Sequence, residues 1–254
     1  MLCDYHVHSD FSHDCSTSME DVCEMAVRKG LSKICFTEHL DFDRRDEGWR
    51  YFKPEKYLSR AEKYKEAYKG ELSVSAGVEV TYQSVYASEI AEFLELHKFD
   101  YVTGAVHMVN HTIVGSPGYF VGKLEDEAYG EYWSELLSMV QSGLVRTVAH
   151  MDYIKNHRPT QYGPFIQERW QDELVQILEC IIEREVLLEV NTSALRRGLG
   201  APYPSWDIIR LYRYLGGNEV ILGSDAHFAE DVGAHFADVS VELSSMGLVV
   251  GAQT

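Results

Sequence analysis

The chain places two histidines one residue apart, His6 and His8, at the end of its first apolar stretch. In an extended strand, alternate side chains share a face. Both imidazoles can then grip one ion while Val7 packs the other way. The same spacing recurs at His150/Asp152 and at Asp225/His227. Glu38-His39, Glu79, His107 and Asn191 each close a further apolar stretch. One such pair is weak evidence, because histidines are often merely buried or solvated. Three pairs together with Glu79 and His107, all at predicted strand ends, argue against chance. The donors are imidazoles and carboxylates without a thiolate. That set suits catalytic zinc, manganese or iron better than a structural zinc. Several carboxylates also favour two to three divalent ions, which can bridge a hydroxide, bind phosphate oxygens and stabilise a leaving alkoxide.

The elements that must position these residues alternate along the chain. The apolar pattern predicts strands at 2–7, 33–37, 72–80, 101–105, 145–149, 186–190 and 219–222. Amphipathic segments predict helices at 18–30, 54–70, 84–97, 125–142, 166–184, 205–215 and 231–246. Ser18 and Asp21 form a capping box for the first helix, and Pro54 opens the second. Strict alternation implies an α/β fold with parallel strands and right-handed crossovers. An open sheet would spread the strand ends along a line, whereas a barrel gathers them on one face. The gathered donors therefore favour a barrel.

A length of 254 residues suits a single α/β barrel, so one domain is expected over 1–254. The net charge of −17 repels nucleic acid phosphates and excludes a nucleic-acid partner. It also conflicts with a phosphorylated small-molecule substrate unless a local positive charge exists. Three divalent ions would supply six charges against three from Asp14, Glu79 and Asp225, which removes the conflict. The five cysteines are odd in number and include no CxxC pair, which points to a reducing compartment. There is no apolar run near the ~18 residues of a membrane span, and the first residues lack the features of a signal peptide. A cytoplasmic enzyme is the expectation, with no membrane contact. Nothing in the sequence sets an oligomeric state.

Seven segments carry a family resemblance. They are Asp4-Tyr-His-Val-His-Ser-Asp-Phe-Ser, Phe36-Thr-Glu-His, Gly77-Val-Glu-Val, Asp100-Tyr-Val-Thr-Gly-Ala-Val-His, Ala149-His-Met-Asp, Leu188-Glu-Val-Asn-Thr-Ser-Ala-Leu-Arg and Gly223-Ser-Asp-Ala-His. In this order the chain resembles the polymerase-and-histidinol-phosphatase (PHP) superfamily. The Asn-Thr-Ser-Ala-Leu-Arg stretch and Pro202-Tyr-Pro-Ser bring it nearer the histidinol-phosphatase branch. The resemblance implies a distorted (β/α)7 TIM-like barrel with a trinuclear centre. It implies that His6, His8, Glu79 and Asp225 hold a first ion. Glu79 would bridge to a second, held also by His107 and His150. His39, His227 and a loop residue would hold a third. Many relatives carry a histidine six positions past the second motif histidine. Here Asp14 stands there beside His13, and Asp14 is the favoured ligand.

The resemblance further implies hydrolysis of L-histidinol phosphate by a metal-bridging hydroxide. Glu79 and Asp225 would act in catalysis, with Asp225 or a water delivering the proton. Arg196 and Arg158 are the candidates to clamp the phosphate, since a guanidinium fork matches phosphate oxygens. Arg197 is expected on the surface. Asp152, Glu38 and Asn191 are expected to orient ligands. His111 and His157 fall in loops that can roof the site and touch substrate. His97 is expected at a helix end and His235 on the last helix. Trp49, Tyr51, Tyr119 and Phe120 are candidate walls for an imidazole-bearing substrate. Two other readings stay open: a phosphoesterase for a nucleotide, sugar phosphate or phosphodiester, and a metal-stabilised binding module without catalysis.

Overall fold

The computed structural model describes residues 2–251. Among these, eight parallel strands form one curled sheet in chain order. They are β1 (Cys3–Val7), β2 (Lys33–Leu40), β3 (Ser73–Thr81), β4 (Tyr101–Ala105), β5 (Thr147–Val148), β6 (Leu187–Asn191), β7 (Glu219–Gly223) and β8 (Val249–Val250). Helices α1 (Met19–Arg28), α2 (Pro54–Ala67), α3 (Ala87–Leu96), α4 (Glu125–Ser142), α5 (Gln171–Glu183), α6 (Trp206–Tyr214) and α7 (Phe236–Ser245) follow the first seven strands in turn. A small hairpin, Met108–Val109 with Thr112–Ile113, follows β4. A single helical turn, Ser193–Arg196, follows β6.

The sheet closes on itself between the ends of β1 and β7. His8 N–H donates to Ala226 O at 2.9 Å, and Asp225 N–H donates to His6 O at 2.7 Å. Val7 and Ala226 form a parallel bridge. A strand has two edges, and one edge of β7 is paired with β6. β8 and β1 therefore share the other edge. β8 pairs with the start of β7 (Val249 opposite Glu219), and β1 meets the chain only past its end. The barrel is thus distorted, sealed at the end where the strands finish and splayed at the other.

Local chemistry explains the element boundaries. Ser18 Oγ accepts the Asp21 N–H at 3.1 Å and starts α1. Gly143, in the left-handed region with φ 71°, ends α4. The apolar helix faces bury against the outside of the sheet in one cluster that includes Val22, Ile34, Phe36, Tyr57, Val78, Trp133 and Leu178. A second cluster of Tyr5, Cys35, Tyr101, Leu187 and Ile221 fills the barrel interior beneath the strand ends.

One irregularity decides what points inward. Between Asp4 and Val7, β1 advances three residues while β2 advances two, from Ile34 to Phe36. This bulge resets the alternation. Tyr5 packs with the interior cluster below, and His6 and His8 still face inward above it. Bulges re-aim side chains in this way beside functional sites.

Several sequence expectations change in detail. β2 runs on through Glu38 and His39 to Leu40. β5 is only Thr147–Val148, and β8 was not anticipated. A 3-10 turn at Gln167–Trp170 precedes α5. The last helix begins at Phe236, not near 231, because Gly233 and His235 both take left-handed φ. His235 is therefore its N-cap residue, and His97 caps the end of α3. Among the described residues no helix is long and apolar enough to cross a membrane.

Gly223 at the end of β7 ties packing to the site. A Cβ there would fall against Glu189 Oε1 and within 2.7 Å of His6 Cβ. Gly223→Ala is expected to lower stability by about 1–3 kcal/mol, the usual range for overpacking, and to weaken metal retention, because Glu189 must move. Urea unfolding and metal analysis check both effects.

Candidate metal centre

His6 and His8 bring their Nε2 atoms to 3.0 Å of one another. Glu79 Oε2 lies 3.4 Å from His6 Nε2 and 3.6 Å from His8 Nε2. Asp225 Oδ1 lies 3.5 Å from His8 Nε2 and 3.9 Å from His6 Nε2. Donors bonded to one tetrahedral ion at ~2.1 Å stand roughly 3.4 Å apart, so this quartet fits a single ion.

The hydrogen-bond network assigns the tautomers. His6 Nδ1 lies 2.7 Å from Glu189 Oε1, so it carries the hydrogen. Ser12 Oγ donates to Glu38 Oε2 at 2.7 Å, so it accepts from His8 Nδ1 at 3.0 Å. Both neutral rings then turn the Nε2 lone pair toward the other. A proton on one Nε2, or a metal ion between them, relieves this contact.

Glu79 faces two groups of donors. Its Oε1 lies 2.9 Å from His150 Nε2 and 3.7 Å from His107 Nε2, and those two nitrogens are 3.4 Å apart. Thr81 Oγ1 donates to Asp41 at 2.5 Å and therefore accepts from His107 Nδ1 at 3.1 Å, which frees His107 Nε2. On the other side, Asp14 Oδ2 lies 3.4 Å from His39 Nε2 and 3.2 Å from His227 Nε2. His39 Nδ1 approaches Glu79 Oε2 at 3.0 Å. Asp14, not His13, joins this third group, and His13 turns toward Asp41 and Asp46.

Electrostatics agree with a site built for cations. Burial opposes a charge on His6, but Glu189, Glu79 and Asp225 outweigh it and hold its pKa well above the ordinary value. Burial likewise opposes charge on His39 and His227. Glu79 and Asp14 overcome it for His39, and Asp14 and Asp225 overcome it for His227. His8 goes the other way: burial, then His227 and His39, push it down to about 3. Glu79 is fully buried, yet His6, His107 and His39 hold its carboxyl well below the usual range. Glu79 Oε2 has no hydrogen bond although it is closed to solvent. Orphaned buried oxygen, inward lone pairs and donor spacing together fit resident divalent metal.

Two candidate ligands hold strained backbone. Asp225 has φ 54° and His150 φ 24°. Such conformations cost about 1–3 kcal/mol each and persist only where the surroundings over-determine them. The turn at His150 also breaks the expected His150/Asp152 pair. Asp152 points away from the centre, accepting from Lys155 Nζ at 2.5 Å and Ser205 N–H at 2.9 Å. The orienting role expected of Asn191 fits better, since its Nδ2 reaches Asp225 Oδ2 at 3.4 Å. Glu38 acts through Ser12.

The donors floor a cavity of about 710 Å³. Arg196 lines it, but its guanidinium also donates to the Ser224 carbonyl and to Asp225 O at 3.1 Å, and lies 3.3 Å from Asp231. Arg158 does not line it; its guanidinium is taken up by the carbonyls of Lys155 and Gly163. Arg197, expected as a plain surface residue, is exposed on the cavity wall instead. His111 bonds Asp43 at 2.5 Å, and His157 lies against Tyr153; neither lines the cavity. The expected aromatic walls are also elsewhere. Tyr119 and Phe120 are core residues, and Trp49 lines a separate hollow. Ile113, Tyr153 and Phe228 supply the apolar wall.

Sequence reasoning missed Glu189. Its buried carboxylate bonds His6 Nδ1, His150 N–H (2.8 Å) and Asn191 Nδ2 (3.1 Å). The Glu189-Val190-Asn191 spacing repeats the His6-Val7-His8 pattern and could have revealed it. It also missed Asp4, which accepts from the backbones of His6, Ser224 and Gly233.

A distorted parallel barrel whose strand ends gather histidines and carboxylates around one glutamate defines the class. Residues 4–193 match the PHP domain family, and the chain belongs to that family. Among curated proteins it is similar to the histidinol-phosphatase of Lactococcus lactis, 28% identical over 234 residues, covering 89% of this chain and 84% of that protein. It is also similar to a probable histidinol-phosphatase of Clostridium acetobutylicum, 26% identical, covering 93% and 90%. Among solved structures it superposes on the Lactococcus lactis histidinol phosphate phosphatase, complexed with zinc, L-histidinol and phosphate. That match has a TM-score of 0.88 and 25% identity, and covers 98% of this chain and 95% of that one.

In the metal-free protein His6, His39 and His227 hold protons that a metal must displace. Metal binding at neutral pH is therefore expected to release protons, and affinity to fall as pH falls. Calorimetry in buffers of different ionisation enthalpy measures the release; a heat independent of buffer contradicts it.

Proposed function

We propose that this chain is a metal-dependent phosphomonoesterase that hydrolyses L-histidinol phosphate to L-histidinol and phosphate, a step of histidine biosynthesis. One observation carries the reading. At the floor of a single cavity, the two oxygens of Glu79 face two sets of histidines, with Arg196 and Arg197 on the wall above. The substrate assignment draws support from the likeness to the Lactococcus lactis enzyme, whose structure holds L-histidinol and phosphate.

We infer that His6, His8, Glu79 and Asp225 would hold a first ion, Glu79, His107 and His150 a second, and His39, His227 and Asp14 a third. Zinc, manganese and iron all suit this donor set. When bound, such ions supply Lewis-acid charge for the phosphoryl oxygens and lower the pKa of water. The chain's own groups do the rest. Glu189 and Ser12 fix the rings of His6 and His8. Asn191 steadies the Asp225 carboxylate on the cavity wall, where it can take the proton of an attacking water and pass it to the leaving alkoxide. Arg197 is the better-placed phosphate clamp, because its guanidinium is not already spent on described residues. Arg196 mainly holds the carbonyls of the Asp225 turn. We place the reaction in the cytoplasm, in one catalytic domain over 1–254; the five free cysteines fit a reducing compartment.

Purified, metal-loaded protein is expected to release phosphate from L-histidinol phosphate with kcat/KM at least tenfold above that for nucleoside monophosphates, sugar phosphates and phosphodiesters. Absence of release, or a better rival in that panel, ends the substrate claim. Losing a charge-assisted hydrogen bond costs about 1.5–3 kcal/mol. Arg197→Ala is therefore expected to lower kcat/KM by roughly 10- to 100-fold at unchanged metal content. Arg196→Ala is expected to lower metal retention as well, because the Asp225 turn loses its cap. If instead Arg197→Ala has wild-type kinetics and Arg196→Ala loses only phosphate affinity, the two roles are reversed.

A further inference from the structure

A separate cluster of donors lies beside the centre around Glu79 and lends it no ligand atom, although Asp41 supports His107 there through Thr81. His13, Asp41 and Asp46 each offer one ligand atom, all within 4.8 Å of one another. They come from different segments. His13 lies in the loop after β1, Asp41 directly follows β2, and Asp46 sits in the connection to α2. Asp41 is only 9% exposed. Its Oδ1 accepts the Thr81 hydroxyl at 2.5 Å, but its Oδ2 is closed to solvent and has no hydrogen-bond partner. His13 Nδ1 is equally closed and equally unpartnered. The two atoms share a space without bonding each other.

The geometry of that space selects its occupant. A backbone N–H already fixes Asp46, because Gly48 N–H donates to its Oδ1 at 2.8 Å. Gly48 also keeps the space open, since a Cβ there would fall against Asp41 Oδ2 and 2.8 Å from His13 Nδ1. Atoms closed to water are closed to an ammonium group of similar size. A bare metal ion, bonded at ~2.0–2.2 Å, can sit among them once the three donors draw together around it. One imidazole and two carboxylates are a borderline-hard set that suits zinc or manganese.

We propose that His13, Asp41 and Asp46 bind a divalent metal ion at a site distinct from the Glu79 centre. The ion clips the 41–53 connection to the loop after β1. His13, Asp41 and Asp46 all line the cavity, so the clip sets one of its walls. The site does not depend on which ester the chain hydrolyses.

The test uses full-length metal-free protein reloaded with zinc, and separately with manganese. Bound metal is counted by elemental analysis after desalting, and binding is followed by calorimetry. His13→Gln, Asp46→Asn and the double variant are each expected to lose the same single equivalent per chain, with one calorimetric step weakened at least tenfold. Asp46→Glu, which keeps the donor, is expected to restore it. Glu79→Ala is expected to lose ions from the other centre and keep this one. Limited proteolysis within 41–53 is expected to quicken in the first three variants even when metal is present. Full metal count and affinity in Asp46→Asn overturn the proposal. If that variant also raises KM for an amine-bearing phosphate ester, the trio binds the substrate's ammonium instead. A loss of two equivalents in the double variant overturns it too, because His13 and Asp46 would then serve different ions.

Discussion

Two imidazole nitrogens 3.0 Å apart, each fixed with its lone pair toward the other, impose a demand that the surrounding structure is arranged to meet. A proton on His6, favoured by Glu189, Glu79 and Asp225, satisfies that one contact. It does nothing for the seven further side chains that converge on the same volume. Divalent metal would satisfy them together. The supports then follow in order. Glu189 and Ser12 hold the rings by their Nδ1 atoms, and Glu38 takes the Ser12 hydroxyl. Asp4 braces the backbone beneath them, accepting the N–H groups of His6, Ser224 and Gly233. Burial raises Asp4 to about 6 against those bonds, so its charged form depends on all of them.

The same demand explains how an acidic chain can suit an anionic ligand. Glu38, Glu79 and Glu189 are fully buried. Buried carboxylates are tolerable only when paired or coordinated. The interior therefore concentrates negative charge where ions would sit, and the ions would return a positive surface to the cavity. The net charge of −17 counts these buried carboxylates too, and bound ions would offset it where the cavity needs positive charge.

Strand ends were legible because their information is local. A spacing of two residues states which side chains share a face, and alternation with helices states that the ends gather. That much placed His6, His8, Glu79, His107 and Asp225 beside one another before any coordinates. The bulge in β1 and the left-handed turns at His150 and Asp225 were not legible, because they depend on pairing partners far along the chain. Asp152 failed for that reason: its partner His150 leaves the strand geometry first. Loop side chains have no period at all. The sequence favoured Arg158 over Arg197 as a phosphate clamp, yet the 3-10 turns after β5 spend Arg158 on carbonyls while the short turn after β6 sends Arg197 to the cavity. Tyr119 and Phe120 sit in a loop by pattern but were drawn into the core under α4 by their own apolar area.

Closure of the barrel and assembly of the centre are one event. The two hydrogen bonds that join β1 to the chain after β7 are made by the backbones of His6, His8, Asp225 and Ala226, and three of those residues carry candidate ligands. β8 keeps β1 from pairing along the start of β7, so closure rests on this short seam. The left-handed Asp225 costs about 1–3 kcal/mol there, offset by its own N–H bond to His6 and by the Arg196 cap on its carbonyl. An ion held by His6, His8 and Asp225 would cross-link the seam from inside. Its binding free energy would then appear as folding free energy. A barrel joined at this short seam would gain firmness from the ions its own ligands position.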